Sequence, residues 1–261
     1  MSKIGIIFVG YQCEDLLGSS LAPWIEARRT RLGGHDYSIC AVSVPFVGFD
    51  HGGDKLDATR AALVKHYNQR DIDRCVIGEV PVAETEARGA ALTWLRDVAN
   101  VDTLIQWDSD EIPTTHDVLR IVNFVELNPW VPTFRISYRN AVFSKTTFME
   151  DAFIPMRIHQ VRLPDGFVAD FFWEDNNVMY RHPVTKELKR DLQLANLTIP
   201  AAVAHPVHWT WLNDERSRRK IAYQEGRGWS CSFRWDEVTG LQFNEAYYAR
   251  LGQSVPKLVS A

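Results

Sequence analysis

Within its first 127 residues the chain four times sets a short apolar run ahead of a segment with helical spacing. The runs are Lys3–Val9 (KIGIIFV), Tyr37–Val44 (YSICAVSV), Arg74–Gly78 (RCVIG) and Asp102–Trp107 (DTLIQW). Apolar runs without polar alternation suit strands buried on both faces. In the segments between them, Leu17, Leu21, Trp24 and Ile25 share a face interrupted by Pro23. A second amphipathic stretch runs from Asp54 to Gln69. The spacing predicts a helix over 84–100, with Ala87, Ala91, Trp94, Leu95 and Val98 as its apolar stripe and Glu84 and Glu86 in its first turn. Such alternation implies an α/β fold, with a mostly parallel sheet flanked by helices. These sheets bind ligands at the carboxyl ends of their strands. The fourth run ends there in Asp108-Ser109-Asp110-Glu111.

The texture then changes. A helix over 115–127 is closed by Asn128-Pro129, and β-rich segments follow over 131–143, 153–161 and 166–173. The last region holds Ala204-His205-Pro206-Val207-His208-Trp209-Thr210-Trp211, a charged helix from Asn213 to about Glu225, and an aromatic-rich tail. With 261 residues and no linker or repeat, the expectation is one domain, with a first half to about 112 and an elaborated second half over about 113–261.

Composition narrows the classes. Lys and Arg number 29 against 33 Asp and Glu, a net charge of −4, which disfavours a chain whose main work is gripping nucleic-acid phosphates. No apolar stretch reaches the roughly 18 residues of a spanning helix. Cys13, Cys40, Cys75 and Cys231 form no CxxC pair, and the expected setting is reducing and cytoplasmic. Nine Trp, eight Tyr and 13 Phe supply flat rings suited to sugars, and equally to cores.

In extended backbone, Asp108 and Asp110 would point the same way and offer hard oxygen ligands to Mg²⁺ or Mn²⁺, with a diphosphate completing the shell. Taken alone, such a tripeptide more often marks a solvated turn; its place after the fourth strand favours chemistry. Arg88 is placed either to reach a phosphate or to order the acidic loop, or simply to pair with Glu84. His208, with His205 as its rival, is a candidate third ligand or phosphate contact, although a packed histidine is the plainer reading. Lys220 and Arg219 are candidate phosphate partners on an otherwise solvated helix. Glu174-Asp175, after the segment ending at Trp173, is a candidate general base, with Asp151 and Asp170 as alternatives.

Taken together, these pieces resemble the GT-A glycosyltransferases, most closely the family-2-like branch. The matching features, in order, are the turn Gly10-Tyr11-Gln12-Cys13-Glu14-Asp15 with Ser20 to Pro23, the helix start Glu86-Ala87-Arg88-Gly89, the Asp108-Ser109-Asp110-Glu111 cluster, and Val207-His208-Trp209-Thr210-Trp211-Leu212 followed by Arg219-Lys220-Ile221. The resemblance covers roughly residues 3–225. It implies a GT-A, Rossmann-like sheet with a nucleotide-sugar half and an acceptor half. It implies that Asp108 and Asp110, with Ser109 between them, hold metal and donor diphosphate, that His208 is a further metal or diphosphate contact, and that Arg88 and Lys220 serve the donor. It also implies that Glu174-Asp175 carries the base, with Asp175 foremost. The implied activity is metal-dependent, inverting hexosyl transfer from a nucleotide sugar, a UDP-sugar first, to a saccharide or small-molecule hydroxyl; a modified nucleic-acid base ranks lower. The chain departs from the family where Ser43-Val44-Pro45-Phe46 replaces an Asp-containing turn, and where Gly89 follows Arg88. A sugar-nucleotide nucleotidyltransferase would place a Gly-rich basic loop after the first strand, which 10–15 lacks. A non-catalytic nucleotide- or carbohydrate-binding protein is the other alternative.

Overall fold

The computed structural model describes residues 2–10, 13–48, 56–150, 154–173, 177–212 and 214–260. Its first half follows the expected alternation: β1 (Lys3–Val9), α1 (Glu14–Ser20), α2 (Ala22–Thr30), β2 (Asp36–Ser43), α3 (Leu56–Asn68), β3 (Arg74–Ile77), α4 (Glu84–Trp94) and β4 (Thr103–Asp108). After β4 come β5 (Glu111–Ile112), α5 (Thr115–Glu126), β6 (Thr133–Ile136), β7 (Arg139–Val142), β8 (Thr147–Met149) and β9 (Met156–Gln160). The remainder is β10 (Val168–Phe172), β11 (Val178–Arg181), β12 (Leu188–Arg190), β13 (Asn196–Ile199), β14 (Val207–Trp211), α6 (Asp214–Gly226), β15 (Phe233–Asp236), β16 (Gly240–Phe243), α7 (Glu245–Arg250) and β17 (Leu258–Ser260).

A seven-stranded sheet, in the order β13-β6-β9-β4-β1-β2-β3, forms the centre. Its pairs are parallel except that β9 runs antiparallel to both β4 and β6. This is the mostly parallel α/β sheet expected from the alternation. The unbroken apolar run of β1 is explained by burial on both faces. Ile4, Ile6 and Phe8 join a core with Trp24, Ile121 and Val122, whereas Ile7 and Val9 join a second core with Ala87, Leu92 and Leu104. Gly5 lies where a Cβ would meet Val101 Cγ2 at 2.8 Å, so the close approach of the chain after α4 requires glycine there.

One expectation needs correction. The helix predicted over 84–100 is α-helical only to Trp94, and a π-helical turn takes over Leu95–Ala99. The wider turn shifts the face, so Leu95 is buried while Val98 is 69% exposed and leaves the apolar stripe. The β-rich stretch over 131–143 is two strands in two different sheets. β6 stays in the central sheet, and β7 enters a five-stranded sheet ordered β17-β8-β7-β14-β5. Pro23 lies in the first turn of α2, where its missing N–H costs nothing. Among the described residues no helix is long and apolar enough to cross a membrane. All four cysteines are unpaired.

Under the central sheet, His159 and Asp191 are fully buried beside Gln106. The Gln106 amide donates to His159 Nε2 at 2.9 Å, and Asp191 Oδ2 lies 3.8 Å from Nδ1. Burial, with help from Arg157, pushes His159 from 6.5 down to about 3. The neutral ring carries no penalty above 6.5, and the penalty grows as pH falls because only the unfolded chain takes up the proton. Between pH 6.5 and 5 this should remove about 2 kcal/mol of stability. His159→Gln, which avoids the proton, should flatten that part of the acid limb in urea titrations; an unchanged slope would refute the assignment.

Candidate active site

The acidic tetrapeptide is the joint between the two large sheets. β4 ends at Asp108, Ser109 and Asp110 form a turn, and Glu111 begins β5, which pairs antiparallel with β14. Register places His208 opposite Glu111 on one side and opposite Asn140 of β7 on the other. Backbone groups of the turn are tied down. Ser109 N donates to Val9 O at 2.9 Å, and Trp209 N to Asp110 O at 2.7 Å. Ser20 Oγ and Trp107 Nε1 both donate to Glu111 O, at 2.7 and 2.8 Å. Such a turn holds its side chains in fixed directions.

Because 109–110 turn instead of extending, the two aspartates diverge, against the expectation that they point the same way. Asp108 takes Arg88 on Oδ1 at 2.6 Å and Arg157 on Oδ2 at 2.8 Å. Burial pushes its carboxyl upward, but the two guanidinium groups outweigh it and hold it below the usual carboxylate range. Glu111, fully buried, accepts Arg157 Nε and Nη2 on Oε1 at 2.8 and 2.5 Å. Its Oε2 accepts Tyr138 Oη and Asp108 N, both at 3.1 Å. Burial pushes Glu111 up to about 7, with Asp108 adding to the rise and Arg157 opposing it. A metal at Asp108 would have to displace an arginine. Ser109 turns its hydroxyl to the buried Cys13 thiol.

Asp110 faces the other way. Its Oδ2 lies 3.5 Å from His208 Nε2 and 3.9 Å from Lys220 Nζ. His208 Nδ1 is 3.0 Å from Asn140 Oδ1, while the Asn140 amide nitrogen is directed at Met149 Sδ. Burial pushes the His208 imidazole below its ordinary value, although Asp110 opposes the shift. A neutral ring donating from Nδ1 to Asn140 presents its Nε2 lone pair to the Asp110 carboxylate. The two side chains are in polar contact at 3.5 Å, and Asp110 favours the protonated ring against the effect of burial. Two ligands about 2.1 Å from one hard cation at right angles stand about 3 Å apart, so this pair fits a divalent ion with little movement. Asp110 and His208 are two ligands only. Among the described residues no group of three or more His, Cys, Asp and Glu is placed to hold a metal, so the rest of a shell would come from ligand or water.

Helix α6 flanks this edge of the sheet. Arg216 bonds Asp15 at 2.8 Å beyond β1, Lys220 lies beside Asp110 and over the Trp211 ring, and Tyr223 feels the charges of Glu84 and Arg88. Arg219 is engaged by Glu215 within the helix. The helix is seated on an aromatic cluster in which Trp211, Phe233 and Phe243 stack at 4.4 and 5.0 Å. Arg88 is almost fully buried and uses Nη2 for both Glu84 (2.9 Å) and Asp108; its Nη1 is buried without a hydrogen-bond partner among the described residues. Arg88 thus pairs with Glu84 and with Asp108 of the acidic loop.

His205 is separated from the acidic turn: its backbone N donates to Asp117 on α5. Glu174 and Asp175, the candidate base pair, lie outside the described residues, as does Asp151. Asp170 is described and is held by Arg181 at 2.6 Å and Arg96 at 3.3 Å. Arg157, Tyr138 and Asn140 were not singled out from the sequence. The one signal for Arg157 is a cation at an interior position of a short apolar strand, which demands a buried counter-charge.

No protein-family profile matches the chain, and no curated protein matches it. Among solved structures it is similar to S. aureus TarS, at 12% identity and a TM-score of 0.43, covering 85% of this chain and 38% of that one. It is also similar to S. aureus TarS 1-349, at 14% identity and a TM-score of 0.39, covering 60% of this chain and 47% of that one. A third match is TarS 1-349 in complex with UDP, at 14% identity and a TM-score of 0.39, covering 60% and 46% respectively. The chain spans less than half the length of each of these structures.

Proposed function

We propose that the chain is a glycosyltransferase that moves a sugar, a hexose in the first instance, from a nucleotide-sugar donor to a hydroxyl acceptor, with inversion and with the help of a divalent cation. One observation carries the reading: Asp110 and the imidazole of His208, 98 residues apart in sequence, face each other at 3.5 Å at the carboxyl edge of the parallel sheet, beside Lys220. Sheets of this kind bind nucleotides at that edge.

Mn²⁺ or Mg²⁺, held by Asp110 and His208, would supply positive charge to the diphosphate as it leaves. The chain's own groups do the rest. Lys220 adds a second positive charge on the same side. Asn140 holds the His208 ring with Nε2 directed to Asp110. Arg88 and Arg157 neutralise Asp108 and Glu111, so the acidic joint does not repel an anionic donor. Proton removal from the acceptor hydroxyl is assigned to Asp175, with Glu174 as its neighbour; Asp170 is already committed to two arginines. The acceptor is a saccharide or a small molecule, because a net charge of −4 disfavours nucleic acid.

The test is release of nucleoside diphosphate from a panel of UDP-, GDP-, ADP- and dTDP-sugars, with Mn²⁺ and after chelation. Release that depends on metal, with a UDP-sugar leading, is expected. Asp175→Asn should abolish transfer and preserve donor binding by calorimetry. If no member of the panel binds or reacts while the protein remains folded, the transferase reading fails and a non-catalytic role takes its place.

A further inference from the structure

At the opposite edge of the central sheet lies a groove of about 230 Å³ lined by Pro129, Trp130, Pro132, Gln160, Arg162 and Pro164, together with Leu163. Gln160 pairs in register with Thr103, the first residue of β4, whereas Asp108 is its last. At about 3.3 Å per residue the groove is roughly 17 Å from the start of the acidic joint. We propose that this groove is a saccharide-binding subsite, separate from the candidate active site, which stacks one sugar ring of a glycan on Trp130.

The ring is displayed rather than buried. Trp130 is 68% exposed, yet it belongs to a turn in which Val131 N donates to Asn128 O at 3.0 Å and the Asn128 amide donates to Phe124 O at 2.7 Å. Prolines at 129 and 132 restrict the backbone on either side. A flat ring on a stiff turn loses little entropy when it is covered. The rim offers donors that the fold leaves unused. Gln160 accepts Thr103 Oγ1 on its Oε1 at 3.1 Å, and its amide nitrogen has no protein partner among the described residues. Arg162 spends Nη1 on Val101 O at 3.3 Å and Nη2 on Asn100 Oδ1 and Arg96 O at 2.9 and 3.5 Å, and its Nε has no partner among the described residues. An apolar ring face bordered by hydrogen-bond donors matches a pyranose, whose C–H face is apolar and whose edge is hydroxylated.

Size and lining decide the occupant. The groove is smaller than the roughly 300–1,000 Å³ of drug-sized ligand sites, so it takes one ring and leaves the chain to run on over the surface. Grooves for proline-rich peptides are lined by several aromatics, and this one has a single tryptophan. A larger groove of about 390 Å³ beside α2 and α3 makes the contrast, since Arg29 and His66 there are already paired with Asp71.

The subsite goes beyond the transferase reading and does not depend on it, because binding is measured without a donor. Maltoheptaose, cellopentaose, chitopentaose and a deca-proline peptide should be titrated into the intact chain by calorimetry. We expect saturable binding of at least one oligosaccharide. Trp130→Ala should weaken it at least about tenfold, the scale of losing a central aromatic contact. Trp130→Phe should retain part of it, and Asp110→Ala should leave it unchanged. Circular dichroism of Trp130→Ala should match the parent. The proposal is overturned if no oligosaccharide binds at millimolar concentration, if binding survives Trp130→Ala undiminished, or if the peptide alone binds. Loss of transfer with retained oligosaccharide binding would sink the transferase reading and leave the subsite standing.

Discussion

Asp110→Asn should lower nucleotide-sugar turnover about 10²–10³-fold, the scale seen when one preorganised charge-stabilising group is removed. The melting temperature should scarcely move. The Asp110 backbone is held through its carbonyl by Trp209 N, and that bond does not involve the side chain. The Arg88–Asp108 and Arg157–Glu111 contacts that brace the joint are made by their own side-chain atoms. The asparagine has the same size, but its amide can donate to His208 Nε2, replacing a cation-accepting pair with a closed hydrogen bond. Turnover by nucleotide release and unfolding by calorimetry should therefore separate. A variant that keeps more than about half the parent rate would end the proposed role of Asp110.

The largest expected effect on stability comes from the neighbouring residue set. Arg157→Met should cost about 3–5 kcal/mol, because it strands the Glu111 carboxylate, which the fold cannot return to water, and takes from Asp108 one of its two guanidinium partners. The Arg157 side chain is 10% exposed and Glu111 is not exposed at all. Glu111 would lose both of its arginine contacts and Asp108 one of its two. Burial already pushes Glu111 up to about 7, so without the arginine it should fold as the neutral acid. That predicts a recovery: Arg157→Met combined with Glu111→Gln should regain more than half of the loss in urea denaturation at pH 7. The amide can still accept Tyr138 Oη and Asp108 N. A single-variant loss below about 1 kcal/mol, or a double variant no better than the single, would show that the array is not the strut described here.

What could be read in advance differed between these residue sets for a physical reason. The central strands were legible because each is covered on both faces, and burial writes that directly into unbroken apolar runs such as Lys3–Val9. The start of α4 was legible from its acidic first turn, Glu84 and Glu86. The break at Leu95 was not, because a π-turn leaves no compositional mark and follows from packing beneath the tight approach at Gly5. Asp108 and Asp110 stood out as a pair. Their separation into a salt-bridged strut and a histidine-facing carboxylate depends on a two-residue turn fixed by Val9, Ser20, Trp107 and Trp209, which are spread over 200 residues. Arg157 comes from a strand with no motif of its own, and Tyr138 from the short link between β6 and β7.

By itself, then, the amino-acid order determined the α/β layering and put an acidic cluster at the carboxyl edge of the fourth strand, since burial and periodicity are local properties of the chain. Only the tertiary structure decided which carboxylate meets arginine, which meets His208 and Lys220, and that Trp130 stands exposed at the far edge. Those outcomes follow from strand pairing between β4, β5, β7, β9 and β14, and pairing partners distant in sequence are set by the whole core rather than by any short stretch within it.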